Sequence, residues 1–299
     1  MKSILVTGGT VFVSRYTAAY FRDKGWQVYV LNRNTKPQEE GVTLIEADRH
    51  DLGDRLRGIH FDAVADVTAY NAEDVNDLLD ALGSFGTYVM ISSSAVYPDT
   101  GVQPFAESSP IGPNAVWGAY GTDKIAAEEA LHSCVPDSYI LRPPYIYGPM
   151  NNVYREAFVF DCMMAERAFR VPETDLPLQF LHVKDLCRMM EALIEKRPEQ
   201  RVWNVGNPET VTAAAWAEMC YAAAGKPCEL IRVPDDVNVR SYFCFHPYAY
   251  ELDVTAQKAI LPETIPLQEG LRDAFAWYQA HAAELKRKPY IEYMDQNGL

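Results

Sequence analysis

The sequence has little positive charge, no paired cysteine motif and no long hydrophobic run. Its 299 residues include 27 Lys and Arg against 41 Asp and Glu, so that the formal net charge is −14. Such a charge repels both a nucleic-acid backbone and an anionic membrane surface. We therefore predict no nucleic-acid partner and no membrane partner, while single Arg or Lys side chains stay available for a small anionic ligand.

The six cysteines are scattered, with no CxxC pair and no histidine at the spacing of a metal site. We expect reduced thiols and no metal, which is typical of the cytoplasm. The apolar run before Thr7 is too short for a signal segment, and no later run approaches the length of a bilayer span. The sequence thus predicts a cytoplasmic location.

Short apolar runs alternate with helix-like segments through the first half of the chain. SILVTGG, QVYVLN and YVMISSS are examples, and such alternation is typical of βαβ units with parallel strands. The sequence predicts an α/β fold, a doubly wound parallel Rossmann sheet with a smaller C-terminal substrate lobe. We expect residues 1–150 to form the dinucleotide-binding domain, with 176–207 returning to it, and residues 151–175 and 208–299 to form the smaller lobe.

The stretch TGGTVFVS, from Thr7 to Ser14, lacks two glycines of a dinucleotide-binding loop. Gly8 supplies the tight turn, and Ser14 is small enough for close packing of the helix on the strand. Val11 is the difficulty, because its β-branched side chain resists a positive φ and stands where diphosphate oxygens approach. Backbone N–H groups near Phe12 and Val13 still favour a phosphate. Alone, this loop fits cofactor binding and a plain turn equally well.

Asn32 and Arg33 end the second predicted strand, from which a side chain reaches the adenosine ribose. An acid at this position selects NAD, whereas a neutral Asn32 beside Arg33 tolerates a 2′-phosphate. These residues lean towards NADP, with a solvated Arg33 as an equal alternative. The choice between NAD and NADP stays open.

Tyr120 and Lys124 lie four residues apart on a predicted helix and therefore share one face. Using a tyrosine as a base near pH 7 requires lowering its pKa of about 10 by about 3, or roughly 4 kcal/mol. A cation about 4 Å away supplies about that much at an effective dielectric constant near 20. Ser92, Ser93 and Ser94 stand upstream and offer a hydroxyl that can hold a substrate oxygen. Alternation along the strand does not choose among them.

These motifs, with ADRHD, LRPPYIYGP, LQFLHVKDL and WNVGN, stand in the order and spacing of the extended short-chain dehydrogenase/reductases. The chain resembles their NAD-dependent epimerase/dehydratase family over nearly its whole length. The resemblance implies that Ser93, Tyr120 and Lys124 are catalytic, Tyr120 as the base. It also implies a cofactor site, which comprises Tyr120 and Lys124 with Gly8, Thr10, Val11, Phe12, Val13, Asn32, Arg33, Asp48, Arg49, Thr68, Ala69, Pro144, Tyr145 and Ile146.

The sequence departs from the family pattern at positions that bear on the substrate. Ser94 and Ala95 stand where 4,6-dehydratases carry an Asp-Glu pair, which disfavours a dehydratase. Leu178 stands where many nucleotide-sugar epimerases carry an arginine for the nucleotide diphosphate. The aromatic segment 241–250 is predicted either to line a sugar-binding cleft or to pack the smaller lobe. His182 is expected to be a packed structural histidine.

The resemblance implies an NAD(P)-dependent oxidoreductase or isomerase that moves a hydride at a carbinol of a sugar or nucleotide sugar, in the manner of a 4-epimerase. It also implies a homodimer paired through the helix that carries Tyr120 and Lys124. The alternative, motivated by Val11 and Leu178, is a non-catalytic or regulatory Rossmann protein that binds a dinucleotide.

Overall fold

A computed structural model describes residues 1–299. Its central sheet has seven strands in the order β10-β6-β5-β4-β1-β2-β3, and every neighbouring pair is parallel. The strands are β1 (Ser3–Thr7), β2 (Gln27–Asn32), β3 (Thr43–Glu46), β4 (His60–Asp66), β5 (Ser84–Ile91), β6 (Tyr139–Arg142) and β10 (Val202–Asn204). The strand order reverses between β1 and β4, and ligands bind beyond the carboxyl ends of strands at such a switch point.

Helices cover both faces of this sheet, which explains why all residues of β1 are apolar or small and all are buried. On one face, α1 (Phe12–Asp23) packs beside α5 (Val183–Lys196). On the other face, α2 (Ala72–Ala81) packs beside α3 (Ala119–Cys134). The predicted doubly wound sheet is therefore present.

The smaller lobe has its own core of 30 buried residues, rich in aromatic side chains. Its helices are α4 (Glu156–Met164), α6 (Ala213–Ala223), α7 (Val239–Tyr242), α8 (Leu267–His281) and α9 (Tyr290–Asn297). Its strands form two small sheets, β11-β9-β7 and β12-β8. These strands are β7 (Tyr145–Tyr147), β8 (Phe169–Pro172), β9 (Pro177–His182), β11 (Thr210–Thr212) and β12 (Leu230–Val233).

The two parts of the chain interleave more than the sequence suggests. Within the range 176–207, α5 covers the central sheet and β10 forms its edge, but β9 pairs with β7 and β11. Ile260 and Leu261, from the range assigned to the smaller lobe, pack into the core between the central sheet and helices α1 and α5. None of the helices is both long and apolar enough to cross a lipid bilayer.

Candidate active site

The loop after β1 depends on its two glycines. Gly8 and Gly9 have φ values of +91° and +96°, a region that side chains rarely adopt. A Cβ atom at Gly8 would lie 2.7 Å from Ser14 Oγ, and one at Gly9 would lie 2.5 Å from Val30 Cγ1. Ser14 is buried and its hydroxyl donates to the backbone oxygen of Val11 over 2.9 Å. Ser14 thus takes the close-packing position that a third glycine would occupy.

Val11 is not strained, contrary to the expectation from its branched side chain. Its φ is −138°, which is ordinary extended backbone, and it precedes the first residue of α1. Beyond the two glycines, the positive φ of this loop falls on Phe12, at +37°, where α1 begins. Val11 therefore affects a bound phosphate through its side chain alone and not through the backbone.

Two cavities meet around this loop, and together they contain nearly all predicted cofactor residues. A cavity of about 360 Å³ is lined by Gly8, Asn32, Arg33, Asp48, Arg49 and Thr68, among others; we call it the cofactor end. A cleft of about 610 Å³ is lined by Val11, Phe12, Val13, Thr68, Pro144, Tyr145 and Ile146, together with all three predicted catalytic residues. Thr10 and Ala69 line neither of the two cavities.

Asn32 is tied to the glycine loop. Its amide nitrogen donates to the backbone oxygen of Gly8 over 2.6 Å, and it exchanges hydrogen bonds with the Gln38 amide. The Arg33 side chain is 72% exposed and lies 3.8 Å from an oxygen of Asp48. Arg33 is thus the freer of the two predicted ribose-facing side chains.

Arg49 points into the protein and forms a buried ion pair that the sequence analysis missed. Its Nη1 and Nη2 donate to the Asp66 carboxylate over 2.9 and 2.5 Å, and Nη1 also donates to Thr68 Oγ1 over 3.1 Å. Burial alone raises the pKa of Asp66, but Arg49 and the hydroxyls of Tyr88 and Thr7 outweigh it and lower that pKa. The guanidinium therefore holds the ends of neighbouring segments together, and the predicted place of Arg49 in the cofactor site stays a prediction.

The structure distinguishes the three serines that strand alternation leaves equivalent. The Ser92 hydroxyl donates to Glu128, and the Ser94 hydroxyl donates to the backbone oxygen of Pro143 over 2.8 Å. The Ser93 hydroxyl donates to no protein group and accepts a hydrogen bond from the Ala95 amide over 3.1 Å. Ser93 is thus the serine with a free donor in the cleft.

Tyr120 has a higher pKa than usual, which differs from the expected effect of Lys124. Although 39% of Tyr120 is exposed, desolvation of its hydroxyl raises the pKa, and the polar side chain of Ser93 and the charge of Arg155 lower it only in part. Lys124 Nζ donates to the backbone oxygens of Ala69 and Ile91 over 2.6 and 2.9 Å. The ammonium group is therefore held by carbonyls in this structure.

Lys124 is itself perturbed by its surroundings. Burial lowers its pKa to about 8, against the opposing charges of Asp66 and Glu128. Its Nζ lies 5.0 Å from the centre of the Tyr70 ring. Tyr70 lines both cavities, and no feature of the sequence analysis pointed to it.

The far side of the cleft from the glycine loop is aromatic, and we call it the substrate end. It is lined by Trp117, Tyr145, Asn152, Arg155 and Tyr250, among others. No Asp or Glu lines the cleft.

The aromatic segment 241–250 serves both roles that its sequence left open. Phe243 and Phe245 are buried in the core of the smaller lobe. Tyr250 lines the cleft, and the His246 ring lies 5.0 Å from that of Trp117 in an edge-on arrangement. Leu178 is 2% exposed in the same core, so no charge is present at that position.

A family model for the NAD dependent epimerase/dehydratase family matches residues 4–206. The chain belongs to this family. This membership confirms the predicted family and, at the level of the family, the predicted function. Two relatives are the chloroplast stem-loop binding protein of 41 kDa b from Arabidopsis thaliana, 28% identical over 92% of this chain and 78% of that protein, and a dTDP-glucose 4,6-dehydratase from Streptomyces niveus, 26% identical over 94% of each.

Solved structures of other family members share the fold. The crystal structure of UDP-glucose 4-epimerase from Thermotoga maritima superposes with a TM-score of 0.77 at 18% identity, over 94% of this chain and 99% of that one. A dTDP-glucose 4,6-dehydratase from Bacillus anthracis in complex with NAD gives 0.76 at 16% identity, over 95% and 99%. These similarities confirm the predicted Rossmann fold. Both epimerases and dehydratases occur among the relatives, so the relatives do not decide between the two activities.

Proposed function

We propose that the protein is an NAD(P)-dependent enzyme that moves a hydride at a carbinol carbon of a sugar or nucleotide sugar, as an epimerase or a dehydrogenase/reductase. The observation that carries this proposal is the cleft shared by Ser93, Tyr120, Lys124 and the N-terminus of α1. Family membership and relatives named as sugar-nucleotide enzymes support the substrate class.

The residues at the cofactor end fit a dinucleotide. The glycines leave room that a Cβ atom would fill, the first residues of α1 line the cleft, and the two cavities adjoin at Thr68 and Tyr70. Thr68, Val11 and the α1 amides would hold the diphosphate, and Pro144, Tyr145 and Ile146 would flank the nicotinamide. When bound, the nicotinamide supplies the acceptor for a hydride.

The chain's own residues would then handle the proton. Ser93 would donate to the substrate oxygen and hold it beside Tyr120, whose phenolate would take the carbinol proton and become the neutral phenol. Lys124 would exchange one of its two hydrogen bonds to backbone oxygens for one to a ribose hydroxyl. This exchange would bring its positive charge towards the Tyr120 phenolate. Because the Tyr120 pKa is raised in this structure, we expect turnover to increase with pH across the neutral and mildly alkaline range.

A dehydratase is disfavoured by the lining of the cleft. Elimination of water needs an acid beside the leaving hydroxyl, and no carboxyl group lines the cleft. The two positions where dehydratases carry the pair hold Ser94, which donates to a backbone oxygen, and the buried Ala95. We therefore favour an epimerase or a one-way dehydrogenase/reductase.

The cofactor and setting of the enzyme form part of the proposal. NAD is the family's cofactor, and the exposed Arg33 leads us to propose that NADP is also accepted. The six free cysteines support a cytoplasmic location. We also propose a homodimer that pairs through α3. Its exposed residues include the polar Asp123 and Glu129, so the pairing would have to involve polar contacts.

The non-catalytic alternative retains one supporting observation, the engagement of Lys124 by backbone oxygens. A relative named as a stem-loop binding protein does not lead us to propose RNA binding, because a net charge of −14 opposes phosphate backbones.

The test combines cofactor titration with one substitution. NAD(H) and NADP(H) are titrated calorimetrically, and reduction of bound cofactor is followed with a panel of sugars and nucleotide sugars. Tyr120→Phe should lower turnover by about 10² to 10⁴ with unchanged cofactor affinity, because only the proton acceptor is removed. Tyr293→Phe, on α9 away from the cleft, is the matched control. Full activity of Tyr120→Phe would exclude the proposed base, and binding without any turnover would favour the alternative.

A further inference from the structure

Arg155 is a cation at the substrate end that has no acidic partner. It precedes α4, its guanidinium carbon lies 4.7 Å from the centre of the Tyr145 ring, and Nη1 donates to the backbone oxygen of Ile146 over 3.4 Å. Other arginines, such as Arg49 and Arg142, are paired with carboxylates. Arg155 forms no ion pair, and the lining of the cleft contains no carboxylate that could neutralise it.

Two more cations without an ion pair lie on other segments of the smaller lobe. Tyr154, its neighbour in the chain, stacks on Tyr290 with ring centres 5.9 Å apart, and Lys288 Nζ lies 5.9 Å from that Tyr290 ring. Arg240, on α7, donates to the backbone oxygen of Phe243 over 3.2 Å. Neither Lys288 nor Arg240 forms an ion pair.

The charges of Arg155 and Arg240 affect two titratable groups, Lys288 and His246. Burial lowers the pKa of Lys288, and Arg240 and Arg155 lower it further. Burial lowers the pKa of His246, and the same two arginines lower it further. Like charges gathered without an ion pair cost stability. The carboxyl of Glu156, next to Arg155 in the chain, is affected by the charge of Arg155, but its Oε1 accepts hydrogen bonds from Gly148 and Asn151 and it does not line the cleft. Such a group of cations is therefore suited to a negatively charged ligand.

We infer that Arg155 binds a negatively charged group of the substrate, a phosphate or a carboxylate, next to the carbinol that Ser93 and Tyr120 face. The inference rests on the proposed function and names the class of its substrate. A guanidinium matches both anions through paired N–H donors. Arg155 and Lys124 are the cationic residues that line the cleft, and Lys124 is engaged by backbone oxygens.

This assignment also accounts for the missing arginine at position 178. Leu178 is buried among apolar side chains and cannot contact an anion there. An anionic substrate therefore needs a cation on another element, and Arg155, on the segment between β7 and α4, is placed in the cleft to provide it.

The experiment uses three probes with purified full-length protein saturated with NAD⁺. Inorganic phosphate tests a phosphate alone, D-glucuronate tests a carboxylate on a sugar, and D-glucose is the neutral counterpart. Binding is followed by calorimetry and by the fluorescence of the tryptophans, since Trp117 lines the cleft. The variants are Arg155→Gln, Arg155→Lys and, as a matched loss of charge on an exposed part of α8, Arg272→Gln.

We expect at least one anion to bind at least tenfold more tightly than D-glucose, and added salt to weaken that binding. Arg155→Gln should abolish the preference, Arg155→Lys should keep part of it, and Arg272→Gln should leave it unchanged. A preference for phosphate indicates a phosphorylated or nucleotide-linked substrate, and one for glucuronate indicates a sugar acid. The NAD⁺ affinity of all variants should equal that of the wild type.

Several outcomes would overturn the inference while leaving the proposed function intact. These are NAD⁺ binding with no preference for either anion, unchanged anion binding in Arg155→Gln, and an equal loss in Arg272→Gln. If Arg155→Gln does not fold, a Lys variant that binds the anions as tightly as the wild type also contradicts paired recognition by the guanidinium. Failure of the wild type to bind NAD⁺ instead counts against the proposed function, since anion binding can be measured without the cofactor.

Discussion

The cofactor end and the substrate end are built by different means. At the cofactor end, backbone conformation at Gly8 and Gly9 and the buried pair of Arg49 with Asp66 determine the shape. At the substrate end, side chains of the smaller lobe form an aromatic wall around an unpaired arginine. In our proposal, therefore, the cofactor would bind at elements that also stabilise the fold, whereas the substrate would be recognised by side chains such as Arg155, which forms no ion pair.

The largest effect should come from breaking the ion pair at the cofactor end. Asp66→Asn leaves Arg49 buried without a counter-charge, and we expect a loss of about 3–5 kcal/mol in the free energy of unfolding. Urea denaturation measures it, with Asp137→Asn as the control, because Asp137 is 91% exposed in its pair with Arg201. An equally small loss of unfolding free energy in Asp66→Asn and Asp137→Asn would contradict the difference between the cofactor end and the substrate end. Strong destabilisation by Arg155→Gln would contradict it as well.

An intermediate effect should follow from pH. Burial lowers the pKa of His182 to about 4, whereas the unfolded chain has a value near 6.5. Between these values the unfolded state binds a proton that the folded state does not. Stability is therefore full above pH 6.5 and falls as the pH decreases towards 4, by roughly 3 kcal/mol for this one group.

His182→Asn provides the check on this pH dependence. The Lys184 amide donates a hydrogen bond to His182 Nδ1 over 3.3 Å, and an asparagine side chain can accept the same hydrogen bond. Urea denaturation of this variant should show a smaller decrease between pH 6.5 and 4 than the wild type, while the lowered pKa of Asp66 matters only at lower pH. Identical pH profiles would remove His182 as the cause.

The smallest effect should come from Val11→Gly. Since Val11 already has an ordinary extended φ, restoring the glycine relieves no strain, and we expect the NAD⁺ affinity to change less than threefold. Calorimetric titration of both proteins measures it. A tenfold gain would mean that the valine side chain obstructs the diphosphate, and the contrast between a backbone-built cofactor end and a side-chain-built substrate end would need revision.

Prediction from sequence succeeded where a motif acts through local geometry. The alternating strands and helices, the glycine turn and the spacing of Tyr120 and Lys124 depend on contacts within a few residues. Prediction failed where partners are distant in the chain. The engagement of Lys124 by Ala69 and Ile91 and the raised pKa of Tyr120 depend on segments that only the folded sheet brings together, and the pairing of Asp66 with Arg49 was missed for the same reason.

By itself, the sequence determined the Rossmann architecture and the family, because hydrophobic periodicity and motif spacing are properties of neighbouring residues. The catalytic roles that it assigns to Ser93, Tyr120 and Lys124 stay predictions. Only the tertiary structure decided which of three adjacent serines keeps a free hydroxyl, that Val11 is unstrained, and that Arg155 lines a cleft that contains no carboxylate. These features depend on which polar groups find partners when distant segments meet, and in a buried site a group with no partner is free to bind a ligand.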